Sequence, residues 1–211
     1  MNRTDQKYRA SVLPLRVIIR KVTLFSTLLL ALLSSPANPA PVEVWQVNPE
    51  KSQLSFIAIQ EGVEIEGRFE DFKATIQFDK DNLAQSYFDV TVDLNSVNTG
   101  INDRDNLLRS PDFFYIRSWP KAIFRTHQIM PVQGDHYRAS ATLSIRNISQ
   151  PVWFHFTLVT KETKQARILI GEDLTTLDRF DFDMAHGDFT GTETVGAKIK
   201  VNVKIQAVLK D

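Results

Sequence analysis

Period-two alternation of apolar and polar residues dominates the chain. Ile199, Val201, Val203, Ile205, Ala207 and Leu209 alternate with Lys198, Lys200, Asn202, Lys204, Gln206 and Val208. Successive side chains of a strand point to opposite faces, so this pattern predicts a half-buried antiparallel strand. The same alternation places Phe72, Ala74, Ile76 and Phe78 on one face, and Phe88, Val90, Val92 and Leu94 on another. Weaker versions run through 54–59, 123–130, 139–145, 152–158 and 166–170. The stretches 79–82, 133–135 and 146–151 carry turn chemistry, and the polar stretch 160–164 predicts a further hairpin. About eight strands at this spacing predict an all-β sandwich or barrel.

One segment interrupts the alternation. Between Gly100 and Phe114 the spacing predicts a short helix, capped by Asn102 or Asp103 and carrying Leu107 and Leu108. Ser110-Pro111 should end it, because proline has no backbone donor for the next turn. A short helix among strands suits the cover of one barrel end.

Charge changes the picture at the N-terminus. Six basic residues and one acid, Asp5, lie in the first 21 positions. A 12-residue apolar run, 22–33, follows, and then Ser34-Ser35-Pro36-Ala37. A basic region, a short apolar core and small residues at −3 and −1 read as a secretory signal peptide, residues 1–37, cleaved after Ala37. The apolar run is short for a membrane span of about 20 residues. The remainder, 38–211, then forms one domain with a formal charge of −5. With no cysteine in the chain, thiol chemistry and disulfides are excluded, and export without disulfides fits a periplasm. The lack of net positive charge removes the electrostatic case for nucleic acid.

Catalytic and metal chemistry leave little trace. The four histidines, His127, His136, His155 and His186, show no metal-ligand spacing. Asp178, Asp181, Asp183 and Asp188 crowd one stretch, but Phe182 and Met184 interleave them, which predicts a strand with an acidic face rather than a calcium loop. Phenylalanine is abundant instead, with 14 in the chain. Phe69, Phe88, Phe124, Phe154 and Phe182 are the candidates for the wall of an apolar channel. An eight-stranded barrel has room for its own side chains or one small ligand. Strands of eight to ten residues, roughly 26–33 Å long, suit an elongated apolar ligand. Periodicity does not distinguish a filled barrel from a hollow one.

Several motifs carry a resemblance to a known family. They are Trp45-Gln-Val-Asn-Pro49 with Ser52 and Phe56, Gly67-Arg-Phe69 with Phe72, and Asn98-Thr-Gly100 leading into Arg104-Asp105-x-x-Leu108-Arg-Ser-Pro-Asp-Phe113-Phe114. Trp119-Pro120, Leu143-Ser-Ile145, Gln150-Pro-Val152 and Asp178-Arg179 follow in order. From Trp45 to about Ala207 the chain resembles the YceI-like proteins, periplasmic lipocalin-like barrels associated with polyisoprenoid binding. It departs from them at Ile59-Gln60-Glu61, which lacks a His, at Arg146-Asn147, which lacks a Gly, and at Asp183, which replaces a Gly.

The resemblance implies an extended antiparallel eight-stranded lipocalin-like barrel with a short helical insertion. It implies a non-enzymatic carrier without a cofactor, holding a polyisoprenoid or quinone-type lipid. Transient membrane contact and a homodimer are compatible with that role. Arg104, Arg109 and Arg179 stand out in the motif regions as donors for a polar head group, with Asp105 placed to orient Arg104. Two other functions stay open on sequence alone: an interaction module with a filled barrel docking on a membrane redox protein, and an enzyme acting on an isoprenoid lipid.

Overall fold

The structure, a computed structural model, describes residues 42–164, 167–184 and 186–210; the expected signal segment lies outside them. In chain order the elements are β1 (Val44–Val47), β2 (Gln53–Gln60), β3 (Val63–Phe69), β4 (Phe72–Gln77), β5 (Tyr87–Asp93), β6 (Val97–Asn98), α1 (Asn102–Arg109), β7 (Lys121–Gln133), β8 (His136–Ile145), β9 (Ile148–Glu162), β10 (Arg167–Asp178) and β11 (Lys198–Leu209).

Eight strands close a ring in the order β1-β4-β5-β7-β8-β9-β10-β11, and β11 returns to β1. Every pairing is antiparallel. The other strands extend this ring. Ala207–Leu209 of β11 pair with β1, while Lys200–Lys204 pair with β2. β1 and β2 thus form one kinked stave, bent at the turn Pro49–Lys51, where Asn48 Oδ1 accepts from the Glu50 amide at 3.0 Å. β3 and β4 form a second stave, broken only at Glu70-Asp71.

The alternation read from the sequence places the inner faces of β4, β5 and β11 correctly. β7 and β9, at 13 and 15 residues, exceed the expected strand length. Gly67, read above as part of a motif, lies within β3 directly opposite Phe56. A Cβ there would stand 2.3 Å from Phe56 Cζ, so the phenyl ring fills the space that the glycine leaves.

The helix forms where expected and ends before Ser110, but its cap differs. Ile101 holds the cap position, without a side-chain hydrogen bond. Asp105, nearly buried, accepts instead from the Thr99 amide at 2.8 Å and from Thr99 Oγ1 at 2.7 Å. It therefore anchors the preceding loop and does not pair with Arg104, which donates to Gln60 Oε1 at 3.2 Å.

The expected acidic-faced strand after Asp178 is also corrected. β10 stops at Asp178, whose carboxylate accepts from the Phe180 amide, and a 3-10 turn spans Arg179–Phe182. Asp183, at φ 55°, then turns the chain away.

Candidate ligand-binding channel

The barrel holds two apolar clusters. Trp45, Phe78, Phe88, Tyr137, Phe156 and Leu169 fill the end near β1. Phe56, Leu94, Val97, Phe113, Phe114 and Phe182 fill the end beneath α1. Between them a cavity of about 300 Å³ remains, the lower end of the range usual for ligand pockets. All five candidate phenylalanines, Phe69, Phe88, Phe124, Phe154 and Phe182, line it. Phe88 and Phe182 are also buried members of the two clusters, whereas Phe69, Phe124 and Phe154 are only partly buried. Val90, Val152, Ile199, Val201 and Val203 continue the apolar wall.

The wall is not hydrogen-bonded all the way round. The β9–β10 ladder runs from Arg167–Glu162 to Asp173–Phe156 and stops there. β9 continues to Ile148 on β8, and β10 continues to Asp178 on β11. The two strands therefore part beyond Phe156 and Asp173. A hydrogen bond from Gln150 Nε2 to the Asp181 carbonyl, 2.9 Å, bridges the gap farther along. On the outer surface beside this gap, Trp153 and Leu174 are 55% and 66% exposed.

β10 also brings polar side chains inward. Its inner positions are Leu169, Gly171, Asp173, Thr175 and Leu177, facing Ala207, Ile205, Val203, Val201 and Ile199 of β11. Asp173 and Thr175 are thus polar residues at apolar register positions. Burial pushes the Asp173 carboxyl up to about 6, opposed by the Thr175 hydroxyl, the Leu174 amide and His155. Neither residue stood out in the sequence. Two polar residues where alternation asks for apolar ones was the available signal, and weak alternation in this segment hid it.

Two of the three candidate arginines hold backbone. Arg109 donates from Nε to the Asn95 carbonyl at 3.0 Å and from Nη2 to the Val97 carbonyl at 2.6 Å. It thereby ties α1 to β6. Arg179 borders the cavity but is 1% exposed. Its guanidinium donates to the carbonyls of Met184, Phe189, Gly191, Val195 and Gly196 at 2.5–3.2 Å. Arg104 bonds Gln60 and does not line the cavity. Arg146, not a candidate from the sequence, is also buried and donates to the Phe113 and Asp183 carbonyls at 2.8 and 2.6 Å. The aspartate-rich stretch gathers no metal site: among the described residues no three His, Cys, Asp or Glu side chains surround a common point.

This barrel, with its motif-built closure, matches the YceI-like domain over residues 45–207. The chain belongs to the YceI-like family. Over an 86-residue segment it is 34% identical to a UPF0312 protein of Pectobacterium atrosepticum and 33% identical to Protein YceI of Salmonella arizonae. Each match covers 41% of this chain and 44% of the relative, so the aligned part spans less than half the length of those relatives. The fold is similar to Burkholderia cenocepacia BcnA, with a TM-score of 0.72 and 23% identity over 76% of this chain and 99% of that one. It is also similar to a polyisoprenoid binding domain from Saccharophagus degradans, with a TM-score of 0.61 and 16% identity over 80% and 99% of the two chains.

Within this YceI-like chain the family motifs have visible structural work. Trp45 donates from Nε1 to the Phe78 carbonyl at 2.9 Å and seals the β1 end. The Thr99–Phe114 motif folds α1 over the other end.

Proposed function

We propose that this YceI-like protein is an exported binding protein that carries a long apolar ligand of the isoprenoid kind in its barrel. The observation that supports this most directly is the cavity left between the two packed clusters, lined by phenylalanine and β-branched side chains. An isoprenoid chain is branched and unsaturated, so it packs well against such a wall. Enclosure at about 25 cal/mol per Å² makes its tail the main source of affinity. The polyisoprenoid binding of the Saccharophagus degradans domain supports the same ligand class. The basic and apolar N-terminal segment supports export to a periplasm, where a lipid must cross water between membranes. The parted β9–β10 ladder is the route of entry on this reading.

Native mass spectrometry of protein purified without detergent tests it. A retained mass of the isoprenoid class is the expected result. Val90→Trp, which fills the cavity, should keep the fold and lose that mass. A bare wild-type protein that also fails to take up squalene in detergent-free buffer would exclude the carrier role.

A further inference from the structure

Among the described residues, the polar side chains lining the cavity are Glu172, Asp173, Thr175 and Asp178 of β10 and Arg179 just past its end, and of these Asp173 and Thr175 hold inward register positions in mid-strand. Asp173 faces Val203 of β11 and Phe156 of β9, both cavity residues. Its Oδ1 is buried and receives no hydrogen bond. A buried carboxylate oxygen without a donor is costly, and native proteins rarely keep one without a use for it. Thr175, the next inward residue on the same strand, supplies a hydroxyl on the same wall. The Phe156–Asp173 pair is also where the β9–β10 ladder ends. Asp173 therefore stands where the apolar cavity meets the parting of the strands and an outer cleft that it also lines.

The charge of the surroundings narrows what this carboxyl can meet. The cavity's basic lining residue is Arg179, and its Nε, Nη1 and Nη2 all donate to backbone carbonyls. The titratable groups of the outer cleft are His136 and Tyr137 of β8, His155 of β9, Glu172 of β10 and Lys204 of β11. Glu172 and Lys204 face each other across β10 and β11 at a position next to the inward Asp173 pair. The cavity itself thus presents an acceptor and a hydroxyl rather than a free cation.

We infer that Asp173, with Thr175 beside it, anchors the head group of the ligand, and that this head is an uncharged hydroxyl donor rather than a phosphate. This rests on the isoprenoid-carrier reading above and adds the chemistry of the head. The hydroxyl of an isoprenoid alcohol or quinol would donate to the unpartnered Asp173 Oδ1, while the Thr175 hydroxyl keeps its own bond to the same carboxylate and holds it in place. A phosphate in the same place would meet a carboxylate, with His155 and Lys204 in the outer cleft and no free basic side chain in the cavity to offset it. The carboxyl titrates near 6, so around pH 7.5 it is mainly the ionised acceptor.

The test compares four probes on the full folded protein at pH 7.5: squalene, geranylgeraniol, geranylgeranyl acetate and geranylgeranyl phosphate. Squalene reports on the channel alone. The acetate keeps the tail but lacks the donor. Wild type should bind the alcohol at least about tenfold more tightly than the acetate, the worth of a hydrogen bond to a charged acceptor. The phosphate should bind more weakly than the alcohol. Asp173→Leu should abolish the alcohol's advantage over the acetate and leave squalene unaffected. Asp173→Val, which also removes the acceptor and suits a strand, gives the same comparison if the leucine variant does not fold. Squalene binding with equal alcohol and acetate affinities, or an alcohol preference that survives loss of Asp173, would overturn the anchor and leave the carrier reading intact. Failure of all four probes would overturn the carrier reading and the anchor with it.

Discussion

The two ends of the barrel are closed by different chemistry. At the β1 end the closure is made of rings. Phe78 meets Tyr137 edge-on at 5.3 Å, Phe88 meets Phe156 at 5.4 Å, and Phe154 stacks on Phe156 at 4.7 Å. All but Phe78 stand on strands whose backbone groups already bond to their neighbours, and the Phe78 carbonyl takes the Trp45 indole N–H, so apolar packing with this one polar contact can seal the end. At the other end the cover is a helix and irregular chain. Such segments leave carbonyls without partners, and a buried carbonyl must find a donor. Arg109, Arg146 and Arg179 supply those donors. A strand-built end can thus be closed by apolar surface, whereas a loop-built end needs buried polar side chains.

The largest expected effect follows from that contrast. Arg179→Met removes the donor to five carbonyls while keeping much of the side-chain volume. It should destabilise the protein by about 3–5 kcal/mol in urea unfolding, comparable to breaking a buried charged network. A loss below about 1 kcal/mol would mean that the α1 end tolerates unpaired carbonyls and that the two ends are not chemically distinct.

The packed end and the cavity wall should differ next. Phe88→Ala, in the aromatic closure, should cost about 3–4 kcal/mol. Phe124→Ala, partly buried on the cavity, should cost about 1–2 kcal/mol, because fewer atoms pack against it. Equal losses from the two would indicate a solid interior. Because Phe88 and Phe182 belong to separate clusters, their alanine substitutions should combine additively within about 0.5 kcal/mol.

Arg109→Leu should have a smaller effect. Its two carbonyl bonds fasten α1 to the β6 region, so a loss of about 1–2 kcal/mol is expected. Affinities for a phosphate-headed and a neutral ligand with the same tail should change in parallel. Selective loss of the phosphate ligand, with unchanged melting temperature, would return Arg109 to a head-group role.

The smallest effect depends on pH. The Asp173 carboxyl is pushed up by burial from 3.8 to about 6 in the folded state. The folded protein therefore holds this proton more tightly than the unfolded chain does. Its favourable contribution is complete below the unfolded value near 3.8 and is lost as pH rises through about 6. Allowing for partial exposure, the change is about 1 kcal/mol, or roughly 2–4 °C in melting temperature. Asp173→Asn should remove it. The gap between variant and wild-type melting temperatures should widen in the variant's favour from pH 4 to pH 7, and a constant gap would show that Asp173 is not desolvated.

The sequence by itself determined the class of fold and most of the inner surface. The alternation in 72–78, 88–94 and 199–209 depends only on the two-residue repeat of a strand, which is local and therefore legible. The interruption at Gly100–Phe114 revealed the helical cover for the same reason. Tertiary structure decided the roles of the charged residues. Arg109 resembled a head-group donor because its carbonyl partners on Asn95 and Val97 leave no trace in side-chain pattern. Arg179 meets carbonyls from Met184 to Gly196 only after the chain has folded back over the barrel end. Asp173 gained its significance from the register that turns it inward beside Phe156, at the point where β9 and β10 part. Side-chain alternation is set by neighbours along the chain, whereas hydrogen-bond partners and strand separations are set by segments far apart in sequence, so only closure of the barrel fixed them.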